Sequence, residues 1–167
     1  MSSKYFNEND EIYKNGLEGE KIALNFLVNY KMEIIDEEQH NSVKYDIKTN
    51  KNTYEIKRDN NFKKFGSVFL EFQTIYNNSS LLFTGISITE ADYYLFICPV
   101  DDEIKFKIFE VPTKKLKDYI NNKILINKIV VKPANCIGWK NFIIGKNYGY
   151  ILSEDELLKI GCVYDVY

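Results

Sequence analysis

A chain of 167 residues is the length of one domain, and 45% hydrophobic with 15% aromatic residues supplies a core, so neither two independent domains nor a disordered chain is expected. A net charge of −2 and a pI near 5.6 exclude a protein that coats nucleic acid through bulk positive charge, so any such contact needs a local patch.

In chain order, Ile22, Ala23, Phe26 and Leu27 recur at helical spacing and predict an amphipathic helix from about Leu17 to Tyr30, with Glu20 in its first turns. Lys31 to Ile35 starts a strand, and EEQHNS, with Asn41 and Ser42, reads as a polar connection. VKYDIKT and TYEIKRD are short β-like runs joined by Asn50, Lys51 and Asn52, which together predict a hairpin. A lysine-bearing connector from Asp59 to Phe65 leads into GSVFLEFQ, a third strand. Thr89 to Asp92 reads as a short helical turn before YYLFICPV, an apolar run of the fully buried type. KFKIFEV is a further strand, and Pro112 marks a helix start at about Thr113, with Thr113 as its cap. Strands are expected at Lys128 to Lys132 and near NFIIG, and SEDELLKI predicts a short helix after Ser153. The outline is a single α/β domain over residues 1–167, a mixed central sheet flanked by helices, with a core of about 15–111 and a C-terminal elaboration of about 112–167.

Several chemistries are excluded early. His40 is the one histidine, so multi-histidine zinc sites and paired-histidine hydrolases are out, and His40 itself reads as a polar loop residue. Cys98, Cys136 and Cys162 are far apart and odd in number, which reads as small buried residues in a reducing compartment. No apolar run approaches the roughly 18 to 20 residues a membrane span needs, and the polar, acidic MSSKYFNENDE has no signal-type stretch. The protein is therefore expected inside the cell, in the cytoplasm or, in a eukaryotic host, in the nucleus or a virus factory. Thirteen tyrosines are mostly core or strand residues by number alone. The lysines at 114, 115 and 117 read as the solvated face of a helix.

The informative segment is KYDIKTNKNTYEIKR, from Lys44 to Arg58. Alternation along a strand puts Glu55 and Lys57 on one face and Tyr54, Ile56 and Arg58 on the other. If the two runs pair, Asp46 reaches the same site as Glu55, because cross-strand neighbours on one face sit about 5 Å apart. Two carboxylates that close repel, and a hard divalent cation such as Mg²⁺ relieves the repulsion. Such an ion polarises a phosphoryl oxygen and lowers the pKa of bound water, while Lys57 adds positive charge near the attacking water or the developing oxyanion. The connector with Arg58, Lys63 and Lys64 mixes basic, amide and aromatic groups and suits a phosphate backbone, or is a plain solvated loop.

The pattern Asp46 … Glu55-Ile56-Lys57 resembles the D…(D/E)xK signature of the PD-(D/E)XK nuclease superfamily. Gly16-Leu17-Glu18-Gly19-Glu20 resembles the helix that carries a further acidic ligand in its Holliday-junction-resolvase branch, and a restriction-endonuclease-like fold is implied. The resemblance covers roughly residues 15–75, and Tyr45 stands where the signature has proline. It implies that Glu20, Asp46 and Glu55, assisted by the carbonyl of Ile56, ligate one or two divalent ions, Mg²⁺ with Mn²⁺ able to substitute. Lys57 would position the nucleophilic water, and Glu71 or Gln73 would stand beside the site. Of Glu18 and Glu20, which point about 200° apart on a helix, Glu20 borders the buried face and is preferred. The expected activity is phosphodiester hydrolysis in DNA, with branched or junction DNA favoured, by a homodimer with no small-molecule cofactor and no membrane partner. An inactive nuclease-fold binding or assembly module and an RNA-directed nuclease are the alternatives.

Overall fold

The turn Asn50–Asn52 folds as its composition dictates. Buried Thr49 donates to the carbonyl of Asn52 at 3.0 Å and accepts from the backbone N–H groups of Lys51 and Asn52, closing the chain on itself. On either side of it, β2 (Ile47–Thr49) and β3 (Thr53–Arg58) pair antiparallel, Ile47 opposite Tyr54 and Lys48 opposite Thr53. The coordinates are a computed structural model that describes residues 11–30, 32–37, 44–101, 105–137 and 143–167. His40, Asn41 and Ser42, read from sequence as loop residues, lie outside the described residues.

Around that hairpin a six-stranded sheet runs in the order β1 (Ile34–Glu37), β2, β3, β6 (Tyr93–Asp101), β7 (Lys105–Pro112), β10 (Cys162–Val166). Its pairs are antiparallel except β3 with β6, which run parallel with Glu55 beside Tyr94 and Lys57 beside Phe96. A parallel pair requires a crossover. Here it passes through α2 (Phe62–Phe65), β4 (Ser67–Tyr76), β5 (Leu81–Phe83) and a 3₁₀ turn at Gly85–Ser87. GSVFLEFQ, expected as a third strand, is a strand and belongs to a second, antiparallel sheet in the order β5, β4, β9 (Ile143–Ser153), β8 (Val130–Ile137).

Both faces of β6 are covered, as its unbroken apolar run requires. Leu95 and Ile97 pack with Ile47, Tyr54 and Ile56 under Ala23, Phe26 and Leu27 of α1 (Glu11–Asn29). Tyr94, Phe96 and Cys98 face the other way, against Val68, Leu70 and Leu152 of the second sheet, Leu116 and Ile120 of α3 (Thr113–Leu125) and Leu157 of α4 (Glu154–Ile160). The molecule is thus a mixed α/β domain in layers: helix, mixed sheet, then the second sheet with two helices.

Several expectations are corrected. Helix α1 starts at Glu11, not Leu17, because its first residues, EIYKNG, carry Asn15 and Gly16, weak helix formers that mask the start in the sequence. Residues 89–92 carry no helical turn; the 3₁₀ turn lies upstream at Gly85–Ser87. Thr113 does not cap α3: the N-cap is Pro112, and the buried Thr113 hydroxyl has no hydrogen-bond partner. Residues past 112, expected as a C-terminal elaboration, take part in both sheets: β9 pairs along β4, and β10 closes an edge of the mixed sheet against β7. Of the three free cysteines only Cys98 is buried, Cys162 being exposed. Helix α4 follows Ser153 as expected, with the full capping box between Ser153 and Glu156. Among the described residues no helix is long and apolar enough to cross a membrane.

Candidate active site

Extending the β2–β3 register by one residue places Asp46 opposite Glu55. Asp46 closes this end of the hairpin through its backbone, its N–H donating to the Tyr54 carbonyl at 2.9 Å. Its side chain is held as well, since Oδ2 accepts the Ile56 N–H at 2.7 Å. The carboxylate is thereby fixed against the strand that carries Glu55 and Lys57. Those two share the face opposite Tyr54 and Ile56, which are buried against α1. The expected alternation holds.

Glu55 is the most perturbed of these groups. Burial, and next the negative charge of Asp46, push its pKa up from 4.5 to about 7, while Lys57 and a hydrogen bond from Thr89 work in the opposite direction. Thr89 Oγ1 donates to Glu55 Oε2 at 3.2 Å and lies 3.2 Å from the Lys44 carbonyl. The Glu90 N–H also donates to that carbonyl, and Asp92 Oδ2 accepts from both the N–H and the hydroxyl of Thr53. The segment 89–92 thus clamps the entry to Asp46 and the start of β3, whereas the sequence had suggested a helical turn. Thr89 was missed because its partners lie 34 and 45 residues away.

A cleft of about 680 Å³ opens over this face, lined by Asp46, Glu55, Ile56 and Lys57, by Glu20 of α1 and by Glu71 of β4. Every residue that sequence reasoning assigned to catalysis or to metal therefore borders one cavity, as does Glu71. Gln73 does not. It lies past a bulge in the β4–β9 pairing between Glu71 and Gln73. Glu18, the alternative to Glu20, instead accepts a hydrogen bond from Arg58 Nη1.

That ion pair revises the reading of Arg58. Its side chain is 2% exposed, and Gly19 gives it room, since a Cβ there would sit 3.0 Å from the Arg58 Cβ. Arg58 borders the cleft but fastens β3 to α1; it is not presented as a phosphate contact. Lys63 and Lys64 are exposed on α2, outside the cleft lining, with the Lys64 ammonium 5.0 Å from the Phe65 ring centre. Asp59, which sequence reasoning passed over as connector, organises the turn after β3. It accepts from the Asn61 N–H at 3.0 Å and the Phe69 N–H at 2.8 Å, and burial raises its pKa against those bonds.

In kind, the cleft's donors suit a hard divalent cation: carboxylate oxygens with no sulfur or imidazole among them. Two features favour positive charge here. Asp46 and Glu55 repel each other, and beside Glu55 the buried Tyr94 hydroxyl has no hydrogen-bond partner; burial and then the charges of Glu55, Asp46 and Glu71 hold it in the neutral form. As placed, no three acidic, histidine or cysteine side chains among the described residues stand close enough together to enclose an ion. Asp46 and Glu55 face each other across the hairpin, and Glu20 and Glu71 border the same cleft.

Comparison with known proteins leaves the site to be read from its chemistry: no family model matches the chain, and neither the curated proteins nor the solved structures give a significant match.

Proposed function

We propose that this chain is a divalent-metal-dependent endonuclease of the PD-(D/E)XK kind, hydrolysing phosphodiester bonds in DNA. The observation that carries the reading is the pairing of Asp46 with Glu55 across the β2–β3 hairpin, with Lys57 on the same face of the same cleft. A divalent cation such as Mg²⁺ or Mn²⁺, when bound there, would supply polarisation of the phosphoryl group and a lowered pKa for bound water. Asp46 and Glu55 would hold the cation, with Glu20 as the third carboxylate and the Ile56 carbonyl assisting. Lys57 orients the water and offsets charge on the phosphoryl oxygens. Water oxygen bonds to phosphorus, the bond to the 3′ oxygen breaks, and that oxygen leaves as a hydroxyl once protonated, so the new end carries a 5′-phosphate. An intracellular homodimer acting on branched DNA follows from the resemblance to junction resolvases. RNA is the alternative substrate.

The second reading, a nuclease-like binding module without catalysis, is favoured by one observation, that among the described residues three carboxylates are not drawn together. The test is incubation of the protein with linear, flapped and four-way-junction DNA and with matched RNA, each in Mg²⁺, Mn²⁺ or EDTA. The nuclease reading expects cleavage in the presence of metal and none in EDTA, with the best substrate naming the branch. Absence of cleavage on every substrate in both metals overturns it in favour of the module.

A further inference from the structure

At one end of the cleft the chain presents an aromatic ring to solvent from a rigid turn. Phe65 borders the cleft yet is 63% exposed, while its neighbour in α2, Phe62, is buried in the core. The turn is fixed from both sides. Asp59 holds the N–H groups of Asn61 and Phe69, Gly66 at φ 60 donates to the Phe62 carbonyl at 2.7 Å, and the Gly66 carbonyl accepts from Glu154. A second ring, Phe69, lines the same cleft and reaches across to β9, where it lies over Gly149: a Cβ there would stand 2.5 Å from the ring tip and push the ring aside. Asn60 and Asn61 add amides to the same lining, and the Lys64 ammonium lies over Phe65.

Two rings and two amides bordering the cleft, with the Lys64 ammonium just outside it beside Phe65, match the parts of one nucleotide: a flat π face, a hydrogen-bonding edge and a charged backbone. An apolar protein partner would need a wider patch than one exposed ring among amides and lysines. A base inside a duplex offers no free face to such a ring. We propose that Phe65, with Phe69, forms a nucleobase subsite that stacks a base of an unpaired strand next to the phosphate held at Asp46, Glu55 and Lys57, so that the substrate is single-stranded or locally unpaired nucleic acid. The inference rests on the nuclease reading for the position of the phosphate and stands apart from it for the stacked base.

Binding is measured in Mg²⁺ in a Lys57→Ala background, using a short single strand carrying 2-aminopurine, RNA of the same sequence and a hairpin duplex. The subsite predicts quenching of 2-aminopurine on the single strand. It also predicts affinity roughly tenfold or more weaker with Phe65→Ala and with Phe65→Leu, retained with Phe65→Trp, and unchanged on the duplex. Phe65-dependent binding of DNA or of RNA supports the subsite and identifies the sugar. Single-strand affinity unchanged by Phe65→Ala, equal losses on single strand and duplex, or no binding of either single strand overturns it. Melting temperatures check that the variants fold, which the exposure of Phe65 favours. If the unmutated protein cleaves nothing in Mg²⁺ while Phe65-dependent binding persists, the nuclease reading falls and the subsite stands.

Discussion

Glu55 keeps its proton to about pH 7, where an ordinary glutamate has lost it near 4.5. A carboxyl whose folded pKa is raised contributes stability that is fully present below pH 4.5 and is lost as pH rises through 7. Glu55→Gln removes that loss while keeping an acceptor for Thr89. The metal-free variant is expected to exceed the parent in stability by about 1–3 kcal/mol near pH 8, the gap closing toward pH 4.5, as measured by urea unfolding across pH. A constant offset at all pH values would mean that Asp46 and burial do not perturb Glu55. At this scale the sequence was legible where contacts are local: alternation put Glu55 beside Lys57, and the hairpin put Asp46 across from Glu55. It was silent where they are remote. Arg58 resembles a phosphate contact until Glu18, 40 residues earlier, takes its guanidinium, and Thr89 looks like any residue of a turn.

Among the elements, the 3₁₀ turn after β5 sets the position of Glu71. Gly85 has φ +49, and a Cβ there would stand 2.3 Å from the Glu71 carbonyl oxygen. Gly85→Ala is therefore strained in its backbone and collides with the strand bordering the cleft; a loss of about 1–3 kcal/mol by thermal or urea unfolding is expected. Helix α4 offers a second test. Burial raises the Glu156 pKa, but hydrogen bonds from Lys123, Ser153 and Tyr119 outweigh it and hold the carboxyl at about 2. A depressed carboxyl contributes stability above its unfolded pKa and loses it as pH falls through the folded one. The parent is thus expected to lose stability between about pH 4.5 and 2 more steeply than Glu156→Gln, followed by circular dichroism. Ser153→Ala removes the cap and is expected to cost about 1 kcal/mol near pH 7. The capping box was readable because Ser153 and Glu156 are three residues apart. The start of α1 was not, because Asn15 and Gly16 interrupt the helix-forming pattern ahead of Leu17, and Thr113 failed as a cap because its hydroxyl is buried without a partner.

For the whole molecule, the layer order explains why a site forms here. The β3–β6 pair is parallel, so the chain must leave the mixed sheet and return, and it builds β4 on the way; β4 brings Glu71 and Phe69 to the lining of the cleft. Sequence periodicity identified β4 as a strand. It did not assign β4 to the second sheet, since strand alternation is the same in either, and pairing with β9 more than 70 residues later has no local signal. Net charge adds a prediction at this scale: with −2 overall and carboxylates lining the cleft, the proposed activity requires nucleic-acid affinity to come from a bound cation and local positive charge such as Lys57. Affinity in Mg²⁺ is expected to fall steeply as salt rises from low to physiological strength, and a flat response would place binding elsewhere.

The central claim is that Asp46, Glu55 and Lys57 act together on a phosphodiester bond, and single-turnover cleavage in Mg²⁺ tests it most directly. The account predicts that Asp46→Asn and Lys57→Ala, folded by their melting curves, each cleave at least about a hundredfold more slowly than the parent on its best substrate; cleavage by either variant at the parental rate would contradict it.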